Sequence, residues 1–411
     1  MTAKPEAKEL EGKWTGFGDL PQLDSIIAYE STDDGWRALT ANGELFEIHG
    51  QDGRRAEVPD DNNILVVRAG KAIGRRAIEQ RGFKIDDYIT HFDQAAALFR
   101  SGKTQEALAE SDAVIALAPT LRARFNRAFV LLTLGQWTEG LAEYEICERD
   151  SPFLRPKTRE ALQAGIKPWR GEDLTGKRLL LLHDHGLGDT IQMLRYVPAL
   201  QVMGADVVMM VPPELMRLAM QVGTVIANTM RVIEADYVCS FLHLLHWLRV
   251  MPGMVVGSSY LKVDPMLRHK WVERLGGSKQ LRIGLAWSVG VIYQDDYPRA
   301  IPFDELFDSL DVETELYSLQ TQSPPAFWEQ GIYSFKFEDF ADCAALMTCM
   351  DKIISVDTAA LHLAGAIGHP QVYGLLSHWH SWRWLANWYS NVKLCRQTTP
   401  GDWNSALEQI K

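Results

Sequence analysis

Two short stretches in the second half of the chain put chemistry-bearing residues where an apolar run ends and a helix begins. One is His183-Asp184-His185-Gly186-Leu187-Gly188-Asp189-Thr190-Ile191-Gln192, the other Ser355-Val356-Asp357-Thr358-Ala359-Ala360-Leu361-His362-Leu363-Ala364-Gly365-Ala366. A strand-to-helix turn leaves backbone N–H groups free at the positive end of the helix dipole, which favours an anion or a developing negative charge. In the first stretch two glycines let a ligand approach the backbone. A dinucleotide fingerprint would need a small third residue, and Ile191 stands there, which argues against a nicotinamide enzyme. Asp189 opens the helix, where it can cap the first turn or accept a proton; His185 is a candidate proton partner. In the second stretch the Thr358 hydroxyl and the helix N–H groups after Asp357 suit a diphosphate. His362, one turn later on the same face, can donate to phosphate; read alone, it is a packed helical histidine.

Other candidates lie between these stretches. Ser288 ends the run Leu285-Ala286-Trp287-Ser288. Arg299, in Tyr297-Pro298-Arg299-Ala300-Ile301-Pro302, can clamp phosphate because guanidinium matches phosphate oxygens bidentately. Gln320 ends another apolar run and offers its amide to a nucleobase edge or a ribose. Trp379, Trp382, Trp384, Trp388 and Trp403 crowd the last stretch with Arg383 and Arg396. Aromatic faces can stack on sugars, but such a segment more often packs domains together.

The elements that must position these residues are legible as runs. Arg178–His183, Asp206–Val211, Leu281–Trp287, Glu315–Leu319, Lys352–Val356 and Gln371–Leu376 read as buried strands, with Phe303–Leu310 and Asp342–Met350 composed as helices. Strand–helix alternation predicts parallel sheets covered on both faces, an α/β class. A charged segment around Asp264–Gln280, with Gly276-Gly277, divides two Rossmann-like halves. The cleft beside the carboxyl ends of their strands is the expected ligand site. Earlier, Gly102-Lys-Thr-Gln-Glu106-Ala107-Leu108 and Gly135-Gln-Trp-Thr-Glu139-Gly140-Leu141 stand 33 positions apart, as do Pro119 and Pro152. That period resembles the tetratricopeptide repeat. The first ~85 residues read as β-rich, with a hairpin turning at Asn42-Gly43 and a strand at Ile64–Val67. The expected divisions are 1–86, 87–166, 167–270 and 271–411.

The 411 residues carry 42 Lys+Arg against 53 Asp+Glu, a net charge of −11, which disfavours nonspecific nucleic-acid binding. An anionic ligand must therefore be held by local donors. Five scattered cysteines form no CxxC pair, so neither a disulfide framework nor a metal cage is expected. The polar N-terminus and strand-length apolar runs predict a cytoplasmic chain without a signal peptide or membrane span.

Taken together, Trp169-Arg-Gly-Glu-Asp-Leu-Thr-Gly176, Gly186-Leu-Gly-Asp-Thr-Ile-Gln-Met-Leu-Arg-Tyr196, Gly284-Leu-Ala-Trp-Ser288, Ser355–Gly365 and Trp382-Arg-Trp-Leu385 resemble bacterial tetratricopeptide-repeat proteins with a C-terminal glycosyltransferase domain akin to the heptosyltransferases of glycosyltransferase family 9. The resemblance runs from about His91 to the C-terminus. It implies a GT-B pair of Rossmann-like domains and an inverting transfer from a nucleotide-diphosphate sugar to a protein or glycan acceptor, with no bound metal or other cofactor. It implies Asp189 as general base, Thr358 and His362 in the donor-phosphate segment, and Arg299 as a phosphate contact. Ala359 departs from the glycine common after Asp-Thr in heptosyltransferases. The alternative is a repeat-type binding scaffold with an inactive transferase domain.

Overall fold

The structure is a computed structural model. It describes residues 26–32, 35–40, 45–49, 65–68, 71–74, 85–150, 155–255, 257–288, 299–310, 313–320 and 331–410. The chain forms two compact units, Met1–Leu154 and Arg155–Lys411.

In the first unit, β1 (Ile26–Thr32), β2 (Gly35–Thr40) and β3 (Leu45–His49) make an antiparallel sheet, and β4 (Leu65–Arg68) pairs with β5 (Lys71–Gly74). Leu39 pairs with Leu45 across the expected hairpin, whose Asn42-Gly43 turn lies outside the described residues, as does Ile64. Four helices follow: α1 (Ile85–Arg100), α2 (Thr104–Leu117), α3 (Leu121–Thr133) and α4 (Trp137–Asp150). The period of 33 has a structural counterpart. Gly102 and Gly135 both adopt positive φ, 78° and 79°, after α1 and α3, where a side chain would be strained. Ala107 in α2 and Gly140 in α4 hold equivalent positions; Ala107 is fully buried, and a Cβ on Gly140 would lie 2.8 Å from Leu132 Cγ. Pro119 separates α2 from α3, whereas its counterpart Pro152 lies outside the described residues.

The second unit begins with α5 (Pro156–Gln163), which the sequence divisions had grouped with the preceding helices. Its first sheet is wholly parallel, in the order β6-β10-β7-β8-β9: β6 (Lys167–Pro168), β7 (Arg178–Leu182), β8 (Asp206–Val211), β9 (Thr224–Ala227) and β10 (Tyr237–Ser240). Between β7 and β8 run α6 (Leu187–Met193) and α7 (Val197–Val202). The charged divider is itself helical: Asp264 accepts from Met266 N to open α8 (Pro265–Leu275), and Gly276, at φ 64°, ends it.

The second sheet is also all parallel, in the order β13-β12-β11-β14-β15-β16. It comprises β11 (Leu281–Ala286), β12 (Thr314–Ser318), β13 (Ile332–Tyr333), β14 (Lys352–Val356), β15 (Val372–Leu376) and β16 (Val392–Arg396). Its helices include α9 (Phe303–Asp308), α10 (Phe340–Met347), α11 (Ala359–Ala366) and α12 (Trp403–Leu407). Burial is continuous rather than alternating: Leu179 to Leu182 and Ile353 to Val356 are buried residue after residue, as strands covered on both faces require. Ile283, Leu285, Ile354, Val356 and Leu375 join Trp403 and Leu407 of α12 in one apolar cluster. The α/β class with two parallel sheets behind a helical segment is as expected. No helix among the described residues is long and apolar enough to cross a membrane.

Candidate active site

Parallel strands end on one edge, so each half presents its turn residues together. In the second half, Ala286 pairs with Ser355 and Val356 with Leu375. The residues just beyond, Ser288, Asp357 and Thr358, therefore line one edge. Gln320, beyond β12, joins them but is already engaged. Its Oε1 accepts from Trp287 N (2.8 Å) and Ser288 N (2.9 Å), and its Nε2 donates to Ser288 Oγ (3.1 Å). The amide edge offered to a base or ribose thus holds the Trp287–Ser288 turn, and Ser288 is part of that clamp.

Thr358 has extended backbone angles and precedes α11, but its side chain makes no capping hydrogen bond to the helix. Its hydroxyl lies 3.0 Å from Ser355 Oγ. Leu361 N and His362 N both donate to Thr358 O. Asp357 is buried; its Oδ2 lies 3.5 Å from Arg299 Nη1, and its Oδ1 lies 3.9 Å from His362 Nε2.

His362 is also buried, its ring stacked on Trp384 at 4.9 Å and its Nδ1 3.1 Å from Tyr389 Oη. Burial pulls its pKa down to about 4, with the Asp357 and Asp189 carboxylates opposing and Arg383 and Arg195 reinforcing. At neutral pH it offers a donor without a positive charge. Arg299 and Arg383 therefore supply the charge around it.

In the first half, the Asp189 carboxylate works locally as a cap, its Oδ2 accepting from Gly186 N at 3.0 Å. Its Oδ1 lies 2.9 Å from Arg383 Nε, a residue of the second half. Burial by itself would raise this carboxyl's pKa. The Arg383 guanidinium, then His185, His362 and the Gly186 N–H more than offset that and hold it below the usual carboxylate range. His185 Nδ1 lies 3.3 Å from Ser240 Oγ at the end of β10, and its ring is 6.5 Å from that of His243. Neighbouring His183, 2.7 Å from Thr190 Oγ1, is held at about 4, chiefly by burial.

The halves meet at backbone distance. A Cβ on Gly188 would lie 2.7 Å from His362 Cδ2 and 3.3 Å from Ala359 Cα, so the starts of α6 and α11 touch because position 188 has no side chain. Part of the tryptophan-rich segment lies at this junction, whereas Trp403 packs into the core of the second half. Trp382, Trp384, Trp388 and Trp403 are buried. Arg195 donates to Trp388 O at 2.9 Å and lies over the rings of Tyr260, Trp388 and Tyr389. Arg217 pairs with Asp339 and, at 3.2 Å, with Glu338.

A row of ionisable groups, Arg299–Asp357–His362–Asp189–Arg383, thus crosses from one half to the other. Arg383 is the member that sequence reasoning placed only in a packing segment. Its partner lies 194 positions away, and no local pattern marks such a pair. A separate cavity of about 580 Å³, lined by Gly165, Arg178, Asp206 and Asp236 among others, lies at the amino ends of the first sheet. It includes none of the residues singled out. The carboxyl-end edge, where parallel α/β sheets bind ligands, is therefore the candidate site.

No family model matches the chain. Among solved structures, it resembles a glycosyl transferase of family 9 from Veillonella parvula, with 11% identity, a TM-score of 0.40, and coverage of 56% of this chain and 88% of that one. It also resembles the E. coli ADP-heptose lps heptosyltransferase II, with 12% identity, a TM-score of 0.38, and coverage of 57% and 97%. Among curated proteins, it is 25% identical over 455 residues to Protein FlbA of Caulobacter vibrioides, a similarity spanning 98% of this chain and 75% of that protein.

Proposed function

We propose that this chain is a glycosyltransferase that moves a sugar from a nucleoside-diphosphate sugar to an acceptor hydroxyl with inversion, using Asp189 as general base. In this reading Thr358, the first N–H groups of α11 and Arg299 hold the diphosphate, and His362 adds a neutral donor. As the acceptor oxygen bonds to the anomeric carbon, the carbon–oxygen bond to the diphosphate breaks. The nucleoside diphosphate leaves with the electron pair, and the acceptor's proton goes to Asp189. A positioned base of this kind is typically worth ~10²–10⁴-fold.

The observation that carries the proposal is the convergence of Asp189, from the first half, on Asp357, His362 and Arg383, from the second, where two strand-to-helix turns meet. The sequence resemblance supplies the reaction class, and the two parallel sheets are compatible with it. A binding scaffold is the second reading, favoured by the backbone contact between Gly188 and Ala359, which leaves the turns pressed together.

The readings separate when the protein is incubated with a panel of nucleotide sugars and a membrane-free lysate as acceptor source, with nucleoside diphosphate release measured. The transferase reading predicts release with at least one donor and a drop of about a hundredfold or more in Asp189→Asn, which keeps side-chain size and capping ability. No release from any donor, or equal release by Asp189→Asn, removes Asp189 from a catalytic role.

A further inference from the structure

The charged row is neutral as a set. Asp189 and Asp357 are each faced by one guanidinium, Arg383 and Arg299 respectively, and His362 between them is uncharged at neutral pH. A diphosphate entering here brings two or more negative charges, and the guanidinium groups of the row that could meet them face carboxylates. Arg383 is the loosely held one. Its Nε lies 2.9 Å from Asp189 Oδ1, yet the N–H is not aligned on that oxygen and makes no hydrogen bond. Among the described residues its Nη1 donates to the nearby Ser381 Oγ, at 3.1 Å, and the guanidinium lies over the Trp382 ring at 4.8 Å. The turn that carries it, Trp382–Leu385, is fastened to α11 by the stack of Trp384 on His362. Arg383 therefore sits between the carboxylate of one half and the helix start of the other. Asp357 Oδ2, at the far end of the row, is likewise buried without a hydrogen bond.

We propose that Arg383 is a donor-operated latch: it pairs with Asp189 while the site is empty and turns to the donor's diphosphate when that binds, releasing Asp189 to take the acceptor's proton. The latch rests on the transferase reading and deepens it. A carboxylate held against a guanidinium is a poor base. Coupling its release to donor binding makes the base strong only when there is a sugar to transfer. Arg383 would thus touch the donor's diphosphate and at the same time set the strength of the base. Among the described residues, the groups facing Asp189 are Arg383, His185 from the loop before α6, His362 from α11 and the Gly186 N–H. Of these, only Arg383 combines a fixed positive charge with an unaligned contact.

The test reads the Asp189 carboxyl directly. In the full chain labelled with carboxyl-¹³C aspartate, its resonance is assigned by its absence in Asp189→Asn and titrated with and without an equimolar mixture of ADP, GDP, UDP and CDP. Alone, Asp189 should titrate below the ordinary carboxylate range; with nucleotide bound, its titration should move upward. Arg383→Gln should show a raised value without nucleotide and a clearly smaller further rise with it, the part due to the diphosphate's own charge. Arg383→Lys, which keeps the charge, should keep the nucleotide response. Nucleotide that binds without moving the Asp189 titration, or an Arg383→Gln protein that responds as the parent does, overturns the latch and leaves the donor site standing. Failure of all four nucleotides to bind overturns both.

Discussion

Asp189 caps α6 through the Gly186 N–H in its ionised state, the same state that the proposed proton transfer needs. His362 and His183 show the opposite tendency, each kept neutral by burial at a pKa of about 4 against the usual 6.5. An unfolded chain would protonate both near 6.5. Their contribution to stability is therefore full above that pH and is lost progressively as pH falls towards 4. The loss should be on the order of 1–2 kcal/mol for each by pH 5. The depressed Asp189 carboxyl acts lower, stabilising above its unfolded value of about 3.9 and losing that as pH falls through the folded one. Thermal unfolding of the intact protein should thus show a midpoint several degrees lower at pH 5 than at pH 7. Substituting both histidines by Asn should flatten that difference; equal slopes in parent and variant would show that other groups carry it.

The elements were the most legible part of the chain, because strands buried on both faces are written as unbroken apolar runs. Arg178–His183 and Lys352–Val356 stand out for that reason; β6, β9, β10 and β13 do not, being two to four residues long, nor does the edge strand β16, which is largely only part-buried. Turn chemistry was legible too. The positive φ at Gly102 and Gly135 is what a glycine after an apolar helix promises. What spacing could not reveal is which turns face each other across the halves. Gly188 looked like a ligand approach point, whereas it admits the backbone of α11. Replacing it tests that contact: Gly188→Ala adds a methyl into the space of His362 Cδ2 and Ala359 Cα. The overpacking should cost about 1–3 kcal/mol in chemical denaturation. A stability equal to the parent would show that α6 and α11 part freely. Gln320 teaches the same lesson, since its position at a strand end was readable but its two backbone acceptor contacts were not.

At the scale of the molecule, the division at Leu154 separates the strands β1–β5 and four helices from the unit that holds every candidate site residue. A fragment spanning 155–411 should therefore bind nucleotide with the affinity of the full chain, while transfer to a natural acceptor falls if the helical unit recruits it. Full transfer efficiency by a folded fragment would remove that role. The equivalent turn glycines and small residues of the helical segment were visible from the period of 33, but whether the segment binds a partner is not written in the pattern. A period fixes how helices stack, whereas recognition depends on the surface side chains between the repeated ones. Everything proposed for the second unit depends on a diphosphate being held where its two halves meet. Calorimetric titration of the intact protein with ADP, GDP, UDP and CDP decides the matter. Saturable one-to-one binding of at least one nucleotide is expected, weakened about ten- to a hundredfold in Arg299→Gln through loss of a charge-assisted hydrogen bond. No binding of any of the four, or unchanged affinity in both Arg299→Gln and Thr358→Val, would contradict a donor site at the start of α11.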